Sequence, residues 1–404
     1  MRMHYLPVRY KKYIAVCGFV LVGLSALAQK AGMKKLIAEN FAFADKQYHF
    51  LMQHTVPDKV PQSFDSSSRK VVNMDRTWWC TGFYPGTLIY IFEETKDASA
   101  WREALRALQI IKPNEYYTGN HDLGFMMYCS YGNAYDVTHD SVYKNVLFNA
   151  AKSLSTRFRP NIPAIQSWNK SKKFNCPVII DNMMNLELLE WVSHNGGSDK
   201  YAKIALQHAN TTLKNHFRSD YSSYHVIDYD TATGKVLQKR THQGYADNSA
   251  WARGQAWGLY GFTMMYRFTK DPAYLSQAQH IARFILQHPR MPKDMTPYWD
   301  FDDKNIPNVP RDASAAAVMA SALLELGQYT GGKEKQYYVE SAVTMLKSLS
   351  SPAYRAPLGG NGGFILMHST GALPMKSEID VPLIYADYYF LEALKRYKKW
   401  YLKS

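Results

Sequence analysis

Two carboxylates stand where acid–base chemistry would want them. Asp122 lies in Asn120-His121-Asp122-Leu123-Gly124-Phe125, and Asp181 in Asp181-Asn182-Met183-Met184-Asn185. Each reads as a loop-to-helix junction, where a side chain can face a cleft. Capping of the helix N-terminus is the ordinary explanation for an aspartate at such a place. Asp181, however, follows the apolar Pro177-Val178-Ile179-Ile180 and precedes two methionines. Apolar surroundings raise a carboxyl pKa toward the range a general acid needs. If the two carboxyls face each other, one keeps the other protonated. Such a pair is common equipment for glycosidic chemistry.

A third stretch, Thr241 to Gly261, crowds polar and aromatic groups among small residues. His242, Gln243, Asp247, Trp251, Arg253, Gln255 and Trp257 are separated by Gly244, Gly254 and Gly258. Glycine costs about 1 kcal/mol against alanine inside a helix, so a glycine-rich helix implies close approach of something. Trp251 and Trp257 read as flat platforms for a sugar face. Arg253 is a planar fork suited to a carboxylate. The segment therefore reads as the lining of a pocket for an acidic sugar, with a tightly packed core helix as the alternative. Trp299-Asp300-Phe301-Asp302-Asp303 reads either as a rim of the same cleft or as a solvated turn.

Other chemistries lack their motifs. His-Glu-x-x-His, Cys-x-x-Cys and calcium-loop spacings are missing, so neither a metal nor a cofactor is expected. There is no Gly-x-Ser-x-Gly elbow. Gly359-Gly360-Asn361-Gly362-Gly363 lacks the lysine and the preceding strand of a phosphate loop.

The chain has 404 residues and a net charge of +14. Arg2, Arg9, Lys11 and Lys12, then an apolar run to Leu24, then Ala26-Leu27-Ala28 read as a secretion signal cut between Ala28 and Gln29. The apolar run is shorter than the roughly 20 residues of a membrane span. Residues 29–404 are then expected to form one catalytic domain in the periplasm or outside the cell. Residues 1–28 hold four bases and no acid, so the mature charge is +10. A basic exported protein suits an acidic polysaccharide better than nucleic acid. A monomer or weak homo-oligomer is expected, with no membrane span after cleavage. Cys80, Cys129 and Cys176 are odd in number and unpaired in spacing, which predicts three buried thiols.

Helical periodicity dominates the rest. Twelve helices are predicted, from one carrying Ile37, Phe41, Ala44, Tyr48 and Leu51 to one over Val381 to about Tyr401. Asp97, Asp140, Ser198, Asp271 and Asp312 are the expected N-caps. Tyr224 to Thr241 alternates and predicts a hairpin turning at Thr231-Ala232-Thr233-Gly234. Arg159 to Val178 reads as irregular, with prolines and a basic run. Twelve helices in antiparallel pairs predict six helical hairpins closed in a ring, an all-α (α/α)6 barrel with long loops and a β-hairpin at the cleft end.

The chain resembles the unsaturated glucuronyl hydrolases, glycoside hydrolase family 88, over nearly its whole mature length. His121-Asp122-Leu123-Gly124-Phe125, Asp181-Asn182-Met183-Met184-Asn185 and Trp251-Ala252-Arg253-Gly254-Gln255-Ala256-Trp257-Gly258-Leu259-Tyr260 carry the resemblance. The related unsaturated rhamnogalacturonyl hydrolases share the barrel but typically carry Arg-Gly-Asn-Gly-Trp where this chain has Arg253-Gly254-Gln255-Ala256-Trp257. The resemblance implies an enzyme that removes the 4,5-unsaturated uronic acid left by a polysaccharide lyase. It implies that Asp181 protonates C4 of the enol ether and then assists water at C5, with Asp122 orienting the sugar and tuning Asp181. His225, His242, Gln243, Trp251, Arg253 and Trp257 match pocket positions, an aromatic at Trp79 fits, and Lys376 falls in a loop that contacts sulfate in related enzymes. An ordinary inverting glycosidase on the same barrel and a uronide-binding protein without turnover stand as the alternatives.

Overall fold

Helices that are apolar all round alternate along the chain with helices bearing one apolar stripe, and this alternation builds the barrel. The computed structural model describes residues 8–402, with side chains from residue 29 onward. In chain order the helices begin with α1 (Val8–Met52), α2 (Phe83–Thr95) and α3 (Ala98–Ile111). A π-helical run over Gly124–Gly132 then continues into α4 (Asn133–Thr138). There follow α5 (Ser141–Ser155), α6 (Asn182–His194), α7 (Lys200–Asn215), α8 (Ala252–Thr269) and α9 (Pro272–Gln287). The last are α10 (Ala313–Leu326), α11 (Gly332–Leu349) and α12 (Ile384–Tyr397). α2, the π-helical run, α6, α8, α10 and α12 pack each on the next, and α12 closes on α2. They form the inner ring. Every residue of α10 is buried, whereas the outer α7 and α9 bury one face. The fold is the expected (α/α)6 barrel.

Small residues set how closely the ring draws in. A Cβ on Gly261 would lie 2.4 Å from the Met183 Cβ, and one on Gly124 2.4 Å from the Asn185 Cα. These two glycines let α8 and the π-helical run approach α6, the helix that follows Asp181. The helix expected near Asp122 is thus π-wound at its start, a geometry frequent at functional sites. Asn185 Oδ1 accepts the Phe125 N–H at 3.0 Å.

The strands are few and short. β1 (Val60–Asp65) and β2 (Lys70–Met74) form an antiparallel hairpin that the periodicity did not predict. Pro61 and a bulge beside it break the alternation that would have signalled it. β3 (Phe158–Arg159) and β4 (Ala164–Ile165) are a two-residue pair inside the segment read as irregular. The expected hairpin is present as β6 (Val226–Tyr229) and β7 (Val236–Arg240), with Gly234 at positive φ in its turn. It gains a third strand, β5 (Cys176–Ile179), antiparallel to β6. Cys80, Cys129 and Cys176 are free and buried.

The leader read over 1–28 lies outside the fully described residues; 8–28 are given only as helical backbone within α1. No described helix is long and apolar enough to cross a membrane.

Candidate active site

The N-terminal ends of the inner helices meet at one mouth of the barrel, and most of the chemically suggestive residues hang from that end, with His225, His242 and Gln243 brought to it by the small sheet. Trp78 and Trp79 precede α2, Asp122 precedes the π-helical run, Asp181 precedes α6, Trp251 and Arg253 open α8, and Asp312 caps α10. Between them lies a cleft of about 240 Å³. Thr77, Trp78, Trp79, Asn120, His121, Asp122, Ser167, Trp168, Ile179, Asp181, Gln243 and Arg253 line it.

Helix capping does not explain the two carboxylates. Asp97, Asp140, Asp271 and Asp312 each accept backbone N–H groups of the helix they precede. Asp181 caps nothing, although it occupies the same kind of position. The residue preceding the π-helical run is Leu123, which leaves the Asp122 carboxylate without a capping role as well. Asp181 is buried and Asp122 half-buried at the cleft wall. Burial pushes the Asp122 carboxyl well above the usual range, and the neighbouring Asp181 adds to the shift. Burial raises Asp181 to about 7, against the opposing pull of Arg253 and the Trp257 indole N–H. His121 Nε2 stands 3.3 Å from Asp122 Oδ1. Burial holds that imidazole neutral, with its pKa lowered to about 3.

Strand pairing brings His225 to Asp181. The β5–β6 register pairs Ile179 with Val226, and the Ile180 N–H bonds the His225 carbonyl at 3.1 Å. The chain leaving β7 folds its next amides over the ring: the His242 and Gln243 N–H groups each donate to His225 Nδ1 at 3.1 Å. With Nδ1 accepting twice, the proton sits on Nε2. That atom lies 3.6 Å from Asp181 Oδ2, which has no other partner among the described residues. A neutral imidazole thus presents a fixed donor beside an acid that keeps its proton to about neutrality.

Arg253 is held rather than free. Its Nη1 bonds Asp312 Oδ2 and the Thr370 carbonyl, both at 2.6 Å, and Nη2 bonds the Gly371 carbonyl at 2.6 Å. The guanidinium also covers Trp251, its centre 4.6 Å from the ring, while His225 stacks on Trp251 at 4.6 Å. Arg253 therefore offers the cleft one edge of a clamped cation. Gln243 Nε2 bonds the same Gly371 carbonyl at 3.1 Å.

The platform reading of Trp251 and Trp257 does not hold. Trp251 is sandwiched between Arg253 and His225, and Trp257 is fully buried against Phe125 and Tyr389. Neither ring face is open to a sugar; Trp257 instead favours the charged form of Asp181 through its N–H. The accessible indoles are Trp78, Trp79 and Trp168. Trp79 packs on Tyr385 at 4.9 Å, and Trp168 on His242 at 5.5 Å. Trp168 was not singled out in the sequence. The available signal was a lone tryptophan in a polar segment between the two candidate acids. Lys376 is exposed in a left-handed conformation, outside the cleft lining, on the loop that Gly371 ties to Arg253 and Gln243. Asp300 is buried scaffolding: it accepts from the Tyr245 N–H and the Ser249 hydroxyl, and Trp299 donates to Asp303.

A second cavity, of about 280 Å³, opens at the other end of the ring. Its buried charges are already matched: Arg267 pairs with Glu187 and Glu325, and Arg396 with Glu325 and Glu392. Its groups are consumed by one another, unlike those around Asp181.

The state of Asp181 can be checked by melting. An unfolded aspartate titrates near about 3.9, whereas the folded Asp181 titrates at about 7. The folded state therefore binds the extra proton, and the stability this contributes is full below the unfolded value and lost as pH rises through the folded one. Asp181→Asn cannot ionise. Its melting temperature is expected to rise relative to the parent by about 3 °C between pH 4 and pH 8. A difference independent of pH would place the carboxylate in an ordinary solvated state.

No family model matches the chain. The chain is 44% identical over 370 residues to an unsaturated glucuronyl hydrolase from Formosa agariphila, across 91% of this chain and 92% of the relative. It is 33% identical over 337 residues to an unsaturated chondroitin disaccharide hydrolase from Streptococcus agalactiae, across 81% and 84% of the two. A crystal structure of an unsaturated glucuronyl hydrolase specific for heparin matches with a TM-score of 0.87 at 50% identity, over 90% of this chain and 97% of that one. With this identity along almost its full length, the chain belongs to the unsaturated glucuronyl hydrolases of glycoside hydrolase family 88.

Proposed function

We propose that the protein removes the 4,5-unsaturated uronic acid from the non-reducing end of glycosaminoglycan-lyase products by hydrating the enol ether double bond. The observation that carries this reading is a buried acid titrating at about 7 beside a fixed imidazole donor and a second carboxyl. Asp181 donates its proton to C4, which leaves a cation shared between C5 and the ring oxygen. The carboxylate so formed lies against that charge and stabilises it. Asp181 then takes a proton from the water that adds at C5. The hemiketal opens and releases the aglycone. His225 holds the reacting sugar through Nε2–H, and Asp122, kept protonated by burial and by Asp181, donates to a sugar hydroxyl. Gln243 and the open edge of Arg253 face the uronate carboxylate, with His242 backing Trp168. Lys376 serves an anionic group at the mouth. We place the protein outside the cytoplasm, cleaved after Ala28, where lyase products arise.

Turnover of a panel of unsaturated disaccharides differing in linkage and sulfation tests the reading, followed by loss of the ultraviolet absorbance of the double bond. The 50% identity to a heparin-specific enzyme makes heparin-derived disaccharides the first to try. Absence of turnover on heparin, chondroitin, hyaluronan and pectic products would overturn it. Trp168→Ala, which removes a wall but no proton-transfer group, is expected to raise KM about tenfold with kcat changed less than about threefold. A kcat loss without a KM change would remove Trp168 from substrate binding.

A further inference from the structure

The basic run after Trp168 has no part in the chemistry above, yet the fold places it on the lip of the cleft. Trp168 lines the cleft wall, and Lys170, Lys172 and Lys173 follow it within five residues. All three are exposed and none forms a direct ion pair among the described residues, although the Lys170 charge reaches the exposed Asp230 carboxylate of the β6–β7 turn.

The loop that carries the three is built, not loose. Phe174 is buried and packs edge-on against Trp168 at 5.6 Å, which anchors the loop to the cleft wall itself. The Ser171 hydroxyl accepts the N–H groups of Lys173 and Phe174 at 3.2 and 3.1 Å, closing a turn. Gln238 of β7 donates to the Lys173 carbonyl at 3.1 Å. Asp228 accepts the Asn175 and Cys176 N–H groups and fixes the return of the chain into β5. The Lys173 ammonium lies 5.3 Å over the Phe174 ring, facing the side of the loop that meets His242. An anchored turn that carries three exposed ammonium groups beside the cleft wall holds like charges together, and an anion bridging them relieves that repulsion.

Resting on the proposed reaction, we infer that Lys170, Lys172 and Lys173 form a subsite for the sulfate or carboxylate groups of an acidic oligosaccharide extending beyond the two sugars nearest the scissile bond. The enzyme then prefers longer lyase products to disaccharides. Exposed ammonium groups attract anions weakly one by one and lose that attraction in salt. The advantage is thus modest, in KM rather than kcat, and sensitive to ionic strength.

The test uses the full mature chain and two substrates with the same terminal disaccharide, one an unsaturated disaccharide and the other an unsaturated tetrasaccharide. At low salt the tetrasaccharide KM is expected to be about fivefold below that of the disaccharide, with the difference gone by about 0.5 M sodium chloride. The triple variant K170S/K172S/K173S is expected to bring the tetrasaccharide KM up to the disaccharide value and leave disaccharide turnover unchanged. Equal KM values for both lengths in the parent would overturn the inference, as would a triple variant that loses the same factor on both substrates. Equally tight, lysine-dependent binding of single-stranded DNA with no tetrasaccharide advantage would also overturn it. If neither substrate is consumed, the proposed reaction itself has failed, which is a different result from turnover without a length preference.

Discussion

Asp181→Asn is expected to lower kcat about a thousandfold or more while KM stays within a fewfold of the parent. The asparagine keeps the shape of the side chain and its neighbours His225 and Trp257, so binding survives. It removes the one proton that C4 must receive. The pH dependence of the parent follows from the same group. The reactive form is the protonated acid, and its pKa is raised to about 7 by burial. kcat/KM is therefore expected to fall on the alkaline side, by about tenfold per pH unit once pH exceeds about 7. The check is initial rate against pH, read from the double-bond absorbance, for the parent and for Asp181→Asn. A variant with near-parental kcat would take Asp181 out of the chemistry.

Arg253→Ala is expected to have the largest effect on stability. The guanidinium is fully buried and meets Asp312 and the carbonyls of Thr370 and Gly371 at once. Removing it leaves the Asp312 carboxylate without its cation and the Thr370 carbonyl without its donor, while Gly371 keeps only Gln243, at a cost of about 3–5 kcal/mol. The loop over 369–372 also loses its tie to α8. A second effect separates electrostatics from folding. Arg253 holds the Asp181 pKa down against burial, so its loss raises that pKa and shifts the alkaline limb of the rate profile to higher pH. Arg253→Lys keeps the charge but not the fork. It is expected to recover the position of the limb while melting below the parent. A calorimetric melt and a pH profile for both variants decide this. An unmoved limb in Arg253→Ala would show that the cation does not act on Asp181.

The barrel was legible because its signals are local. Helical periodicity and aspartate caps at Asp97, Asp140, Asp271 and Asp312 belong to single segments, and the structure keeps them. Both carboxylates were legible as junction residues, but that neither caps its helix was not, because capping is decided by side-chain direction. The roles of Trp251 and Trp257 were misread for a related reason. An indole in a glycine-rich helix looks the same whether its face is open or covered, and here His225 from β6's entry and Arg253, two residues along the same helix start, cover Trp251. Trp168 was missed because no periodicity marks a loop; only the bonds of Ser167 to Pro177 and Ile179 of β5, and of Lys173 to Gln238 of β7, carry it to the cleft. Arg253 was recognised as a guanidinium fork, while its clamp depends on Asp312 and Gly371, 59 and 118 residues away.

The claim on which the rest depends is that the protein adds water across a double bond instead of cleaving at an anomeric carbon. The most direct measurement is the reaction of an unsaturated disaccharide in deuterium oxide, with the products followed by NMR. Hydration through Asp181 predicts loss of the olefinic signal together with a deuterium at C4 of the released uronic acid. Release of the same aglycone with the double bond intact and no deuterium at C4 would contradict it.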